Sequence, residues 1–106
     1  MKYKIMRMLC LFDLPVETGE EKREYRIFRK NLIKEGFFML QYSVYVRTCP
    51  SREYGHRLEK RVKGFAPKKG NVRLISITEK QYEDMKLIVG TSGKNSSVGV
   101  ERMIVI

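Results

Sequence analysis

Phe37-Phe38-Met39-Leu40-Gln41-Tyr42-Ser43-Val44-Tyr45-Val46-Arg47 is the stretch on which the fold turns. Leu40, Tyr42, Val44 and Val46 alternate with Gln41, Ser43, Tyr45 and Arg47, the period-two pattern of a long strand with one core face and one polar face. A sheet built this way is covered on one side only, or its second side meets a partner. Helical patterns lie on both sides of the stretch. The element order is therefore βαββαβ only if the stretch holds two paired strands or bends at its middle. We place a bend near Gln41, with Leu40, Tyr42, Val44 and Val46 toward the core.

Before this stretch, Thr18-Gly19-Glu20-Glu21 has the spacing of a capping box, in which the threonine hydroxyl and the glutamate carboxylate satisfy each other's backbone N–H groups. A helix follows to about Glu35, with Tyr25, Phe28 and Leu32 as its buried stripe and Gly36 closing it in a left-handed conformation. Around it sit Lys22, Arg23, Arg26, Arg29, Lys30 and Lys34 against only Glu24 and Glu35 once the first turn has passed, which makes a basic outer face. Residues 4–13 form the first strand. Met6, Met8, Cys10 and Phe12 take one face, and Leu9, Leu11 and Asp13 the other. The consecutive apolar residues 8–12 read as a strand buried on both faces, and Leu14-Pro15 ends it.

After the stretch, Thr48-Cys49-Pro50 breaks the strand and Ser51 caps a second helix reaching about Phe65. Tyr54, Leu58, Val62 and Phe65 form its apolar edge; Arg52, Arg57, Lys60, Arg61 and Lys63 make it basic, and Lys68 and Lys69 add a basic turn. Residues 71–77 read as a strand. Thr78-Glu79-Lys80-Gln81 has capping-box spacing and opens a short helical turn through about Asp84, after which 85–89 reads as another strand. The expected fold is α+β: a ferredoxin-like βαββαβ domain over residues 1–89. Residues 90–99, rich in Gly and Ser, form a flexible linker. Residues 100–106 form an apolar, β-branched C-terminal strand that must pair with a sheet edge. After a flexible linker, its residues Met103, Ile104, Val105 and Ile106 can reach the sheet of a neighbouring subunit, as a dimer strand, as easily as their own.

The chain has 106 residues, and Lys plus Arg outnumber Asp plus Glu by 22 to 12, giving a formal net charge of +10. That excess points to a polyanionic partner. Lysine and arginine neutralise phosphates without reading bases, so a sequence-independent, salt-sensitive backbone binder is expected. No phosphate-binding glycine loop, zinc-ligand spacing or helix-turn-helix pattern is present. No apolar run approaches the ~18 residues of a membrane span, which fits a cytoplasmic protein with no membrane partner. Cys10 and Cys49 are too few for a disulfide framework and read as free thiols. His56 is the only histidine and reads as part of a solvated helix face.

Asp13 is the one acidic residue at a strand end. Hard cations such as Mg²⁺ are held by one or two carboxylates with waters and substrate phosphates, and a twofold dimer would pair Asp13 with its copy. Spacing alone leaves Asp13 either a metal ligand or the former of the turn before Leu14-Pro15.

These residues resemble a known family, the CRISPR-associated protein two family, and in particular its type II-linked members. The likeness is carried by Met6-Arg7-Met8 through Phe12-Asp13-Leu14-Pro15, Glu20-Glu21-Lys22-Arg23-Glu24-Tyr25-Arg26 and Phe28-Arg29-Lys30. It continues through Glu35-Gly36-Phe37, Gln41-Tyr42-Ser43-Val44-Tyr45, Pro67-Lys68-Lys69-Gly70-Asn71 and Thr78-Glu79-Lys80-Gln81. The resemblance implies a ferredoxin-like homodimer in spacer acquisition that bridges dimers of the CRISPR integrase, CRISPR-associated protein one, and holds a duplex DNA prespacer. It also implies a metal-dependent endonuclease or endoribonuclease, with Asp13 as catalytic residue and ligand to Mg²⁺ or Mn²⁺. The expected nucleic-acid contacts are Lys22, Arg23, Arg26, Arg29, Lys30, Arg52, Arg57, Lys68 and Lys69. A third reading is a non-catalytic module binding RNA or protein.

Overall fold

Strand β1 (Met6–Asp13) is the centre of the molecule, because its alternation gives it one strongly apolar face and two antiparallel neighbours. The computed structural model describes residues 5–91. After β1 come α1 (Gly19–Lys34), β2 (Phe38–Gln41), β3 (Val44–Cys49), α2 (Arg52–Phe65), β4 (Asn71–Thr78) and α3 (Glu79–Glu83). The four strands form one sheet in the order β2-β3-β1-β4, every neighbouring pair antiparallel. This is the ferredoxin-like βαββαβ arrangement, with α3 added after the last strand.

The local signals act where they stand in the sequence. Thr18 and Glu21 form the full capping box of α1, and Thr78 and Gln81 that of α3. The Ser51 hydroxyl accepts from the Tyr54 N–H at the start of α2. Gly36 ends α1 with φ of 94°.

Both long helices cover the same face of the sheet. Met6, Met8, Cys10 and Phe12 meet Phe28 and Leu32 of α1 and Leu58 and Val62 of α2, with Tyr45 of β3 between them. Phe12 organises the aromatic part: its ring centroid lies 5.2 Å from Phe28, 5.7 Å from Tyr45 and 6.0 Å from Tyr25. Gly55 of α2 is buried over β1, with Met8 Cε 3.6 Å from where a Cβ would stand, an ordinary packing distance.

Four expectations are corrected. The stretch 37–47 is a hairpin rather than one bent strand: β2 and β3 pair antiparallel around Tyr42 and Ser43, and Ser43 takes the left-handed conformation with φ of 67°. On β3 the helix-covered core takes Tyr45, from the face expected to be polar, whereas Val46, expected in the core, is fully buried but on the opposite face of the sheet. Tyr45 is 1% exposed in the core, and Arg47 reaches the helices, while Tyr42 at the turn is 84% exposed. The irregularity between Met39 and Gln41 together with the turn uncouples the alternation of β3 from that of β2. Third, β1 is buried on one face only: Leu11 is exposed beside Asp13 and Leu9 half-buried, so Asp13 shares an open face. Fourth, residues 85–89 are not a strand. Among the described residues they pair with no strand, and Ile88 and Val89 stand 85% and 87% exposed.

The C-terminal strand of Met103, Ile104, Val105 and Ile106, and the linker beyond residue 91, lie outside the described residues.

Candidate nucleic-acid interface and the Asp13 rim

Asp13 ends β1 directly across the ladder from Asn71, the first residue of β4. Its side chain is exposed on the sheet face away from the helices. The turn that follows is tied down by other groups: the Glu21 carboxylate accepts from the N–H groups of Glu17 and Thr18, and Thr18 accepts from Glu21. Those backbone bonds hold the Glu21 carboxyl below the usual glutamate range, with Lys69 adding to the effect from 3.6 Å. Gly70 packs against the other side of Asp13. At φ of +88°, a Cβ on Gly70 would lie 2.6 Å from the Asp13 carbonyl oxygen and 2.9 Å from Leu14 Cδ2. The glycine thus sets where the aspartate stands.

Among the described residues no three His, Cys, Asp or Glu side chains come together as a metal cluster. Asp13 offers one carboxylate, and Mg²⁺ or Mn²⁺ held there would complete its shell with waters and substrate phosphates.

The expected phosphate contacts are all on the surface. Lys22, Arg23, Arg26, Arg29 and Lys30 are exposed on α1, Arg52 and Arg57 on α2, and Lys68 and Lys69 in the turn before β4. Lys22, Arg26 and Lys30 stand at successive i, i+4 positions, where like charges repel by a few tenths of a kcal/mol per pair. A folded chain gains nothing from such a row by itself. Arg23, Lys68 and Lys69 meet along a groove of about 510 Å³ between the start of α1 and the end of α2, shared with Glu20, Glu21 and Glu24. Arg52, at the start of α2, is not among the residues of that groove.

Two arginine sites escaped the sequence reading. Arg7, on the open sheet face, grips Glu79 of α3 with two hydrogen bonds of 2.7 and 3.0 Å, and its guanidinium lies 4.2 Å from the centre of the Tyr82 ring. The hydrogen bond holds the Glu79 carboxyl below the usual range and raises Arg7. Arg47 donates to the Glu35 carbonyl at the end of α1 and to the Tyr54 hydroxyl of α2. These partners are far apart in the chain, and no local spacing announces them.

The sheet face away from the helices carries a row of apolar side chains through all four strands, exposed at its outer strands and closed over Val46, which is fully buried. Ladder partners Phe38, Val46, Leu9 and Ile75 lie side by side. Phe38 is 49% and Ile75 52% exposed, with Leu11 of the next row at 38%.

The family model for CRISPR associated protein Cas2 matches residues 6–85. The chain belongs to the Cas2 family. Among curated relatives, the CRISPR-associated endoribonuclease Cas2 of Ligilactobacillus salivarius is 52% identical over 101 residues, covering 95% of this chain and 100% of that protein. The protein of the same name from Lacticaseibacillus rhamnosus is 42% identical over the same shares of each chain. That of Streptococcus mutans is 44% identical over 80% of this chain and 78% of its own. A solved structure described as "Crystal structure of cas2" superposes with a TM-score of 0.58 at 22% identity, covering 95% of this chain and 99% of that one. It supports the ferredoxin-like Cas2 fold. Among the described residues no helix is long and apolar enough to cross a membrane.

Proposed function

We propose that this Cas2-family chain acts in CRISPR spacer acquisition as a homodimer that binds duplex DNA through its backbone and bridges dimers of the CRISPR integrase. The observation that carries the reading is the exposed array of Lys22, Arg23, Arg26, Arg29, Lys30, Arg52, Arg57, Lys68 and Lys69 on a chain of net charge +10. Cations spread over two helices and a turn suit phosphates along a strand and carry no base-reading geometry. The apolar row Phe38–Val46–Leu9–Ile75 supports the homodimer, since an open, partly apolar sheet face is buried by a second sheet of the same kind. The exposed run at residues 85–89 and the strand of Met103, Ile104, Val105 and Ile106 supply further apolar chain for a partner's sheet edge.

A second reading is a metal-dependent endoribonuclease or endonuclease, the activity in the relatives' names. Its support in this chain is the exposed Asp13 at the end of β1. In this reading a twofold axis brings two Asp13 carboxylates together.

Spacer acquisition in cells separates the two. The scaffold reading predicts that Asp13→Ala supports acquisition, whereas Lys22→Glu/Arg26→Glu/Lys30→Glu abolishes it. Loss with Asp13→Ala and retention with the helix variant would favour the enzyme.

A further inference from the structure

Tyr54, in the first turn of α2, gathers three guanidinium groups around one ring. Arg47 lies 4.8 Å, Arg57 5.7 Å and Arg61 5.9 Å from its centroid. One carboxylate stands among them, that of Glu35, which accepts from Arg61 Nε at 3.0 Å. Three cations against one anion leave an excess of two positive charges.

The three arginines are not equivalent. Arg47 is committed to the fold: Nη1 donates to the Glu35 carbonyl at 2.7 Å, Nη2 to the Tyr54 hydroxyl, and Nε is buried with no partner. It cannot turn outward. Arg57 and Arg61 sit one turn apart on the exposed side of α2. Arg57 makes no ion pair among the described residues, and Arg61 commits one N–H to Glu35. Like charges at this spacing repel, yet both guanidinium groups lie within 6 Å of the ring centre, inside the reach of its attraction. A fixed, half-buried cation beneath them sharpens the local field.

We infer that Arg57 and Arg61, gathered over Tyr54, form a phosphodiester-binding subsite that takes one backbone phosphate of a bound nucleic acid, with Arg47 supplying charge from below. The inference rests on the duplex-binding reading and adds two residues, Arg61 and Tyr54, that the basic pattern does not single out. A phosphate oxygen fits between two converging guanidinium forks, which present several N–H donors in a plane. The uncharged ring holds both side chains near one place on α2.

The test measures the affinity of the full chain for a short duplex DNA as a function of salt. The variants are Arg57→Gln, Arg57→Gln/Arg61→Gln, Tyr54→Leu, and Lys22→Gln/Arg26→Gln/Lys30→Gln as a reference on α1. Thermal melting checks that each is folded, and Arg57→Gln, which breaks no ion pair, serves if the double variant is not. The expected result is about a 10-fold loss for the double variant, with the slope of log K against log salt shallower by about 0.9, the value for one phosphate. Tyr54→Leu, which removes no charge, loses affinity several-fold. Wild-type affinity and slope in the double variant, with loss in the α1 variant, would overturn the subsite and leave duplex binding standing. If neither set changes binding, or the wild type binds no duplex, both readings fall.

Discussion

The carbonyl oxygen of Asp13 occupies the space that a side chain on Gly70 would need: a Cβ there would come within 2.6 Å of it. Gly70 is also left-handed at φ of +88°, so a substitution meets both a steric and a torsional cost. Gly70→Ala is expected to destabilise the protein by about 1–3 kcal/mol and to shift the end of β1 that carries Asp13. Gly64, in α2, offers the contrast, since nothing lies within 4 Å of its Cβ position. Gly64→Ala is expected to stabilise by about 0.4–1 kcal/mol. Urea unfolding of the two variants checks the pair of signs.

The Arg7–Glu79 clasp ties α3 to the open face of β1. Its side chains are 19% and 34% exposed, so solvent screening limits the pair to about 1 kcal/mol or less. Because Arg7 lowers the Glu79 pKa, the stabilisation is complete above the ordinary glutamate range and is lost as pH falls through the lowered value. Glu79→Gln is expected to flatten that acid limb and to speed amide hydrogen exchange in Glu79–Glu83. Unchanged exchange would mean that the capping box at Thr78 holds α3 without the clasp.

Cys10 is fully enclosed between β1 and the helices, and burial pushes its thiol up to about 12; burial raises Cys49 as well. Both are expected to resist a thiol reagent at neutral pH in the native protein and to react on unfolding. An unfolded cysteine titrates near ~8.5, so above that pH the unfolded chain releases a proton that the folded one keeps. Stability therefore falls as pH rises from there toward about 12. Cys10→Ala, compared by denaturant titration at neutral and alkaline pH, should reduce that fall.

The parts of the fold set by neighbours in sequence were legible, and the parts set by distant partners were not. The boxes at Thr18 and Thr78 and the cap at Ser51 lie within one helical turn of the groups they satisfy, and all three helices start where these residues predict. The hairpin was harder. Tyr42-Ser43 lacks the Asn-Gly or Asp-Gly signature of a two-residue turn, and Ser43 adopts its positive φ without being glycine. Residues 85–89 have strand composition, but strand formation needs a ladder partner, and none pairs with them among the described residues. At the site, position and exposure of the basic residues followed from helical periodicity. The gathering of Arg47, Arg57 and Arg61 at Tyr54 did not, because β3 and α2 meet only through the tertiary fold.

The apolar row on the open sheet face gives a direct test of self-association. Ile75 lies next to Leu9, and Phe38 next to Val46, with about half of each outer side chain exposed. Ile75→Glu or Phe38→Glu adds a charge to that face without touching the core beneath the helices. Sedimentation at micromolar concentration is expected to show dimer for the wild type and monomer for either variant, with native circular dichroism in both. A dimer that survives both substitutions would move the interface elsewhere.

Binding of a duplex DNA of arbitrary sequence across a range of salt concentrations tests the central claim most directly. Phosphate neutralisation by the exposed cations of α1, α2 and residues 68–69 predicts a linear fall of log K with log salt. The slope should be about −5 or steeper, corresponding to about six phosphates at about −0.9 each, and the affinity should be the same for an unrelated sequence. A slope near zero, or no binding at low salt, would contradict the account.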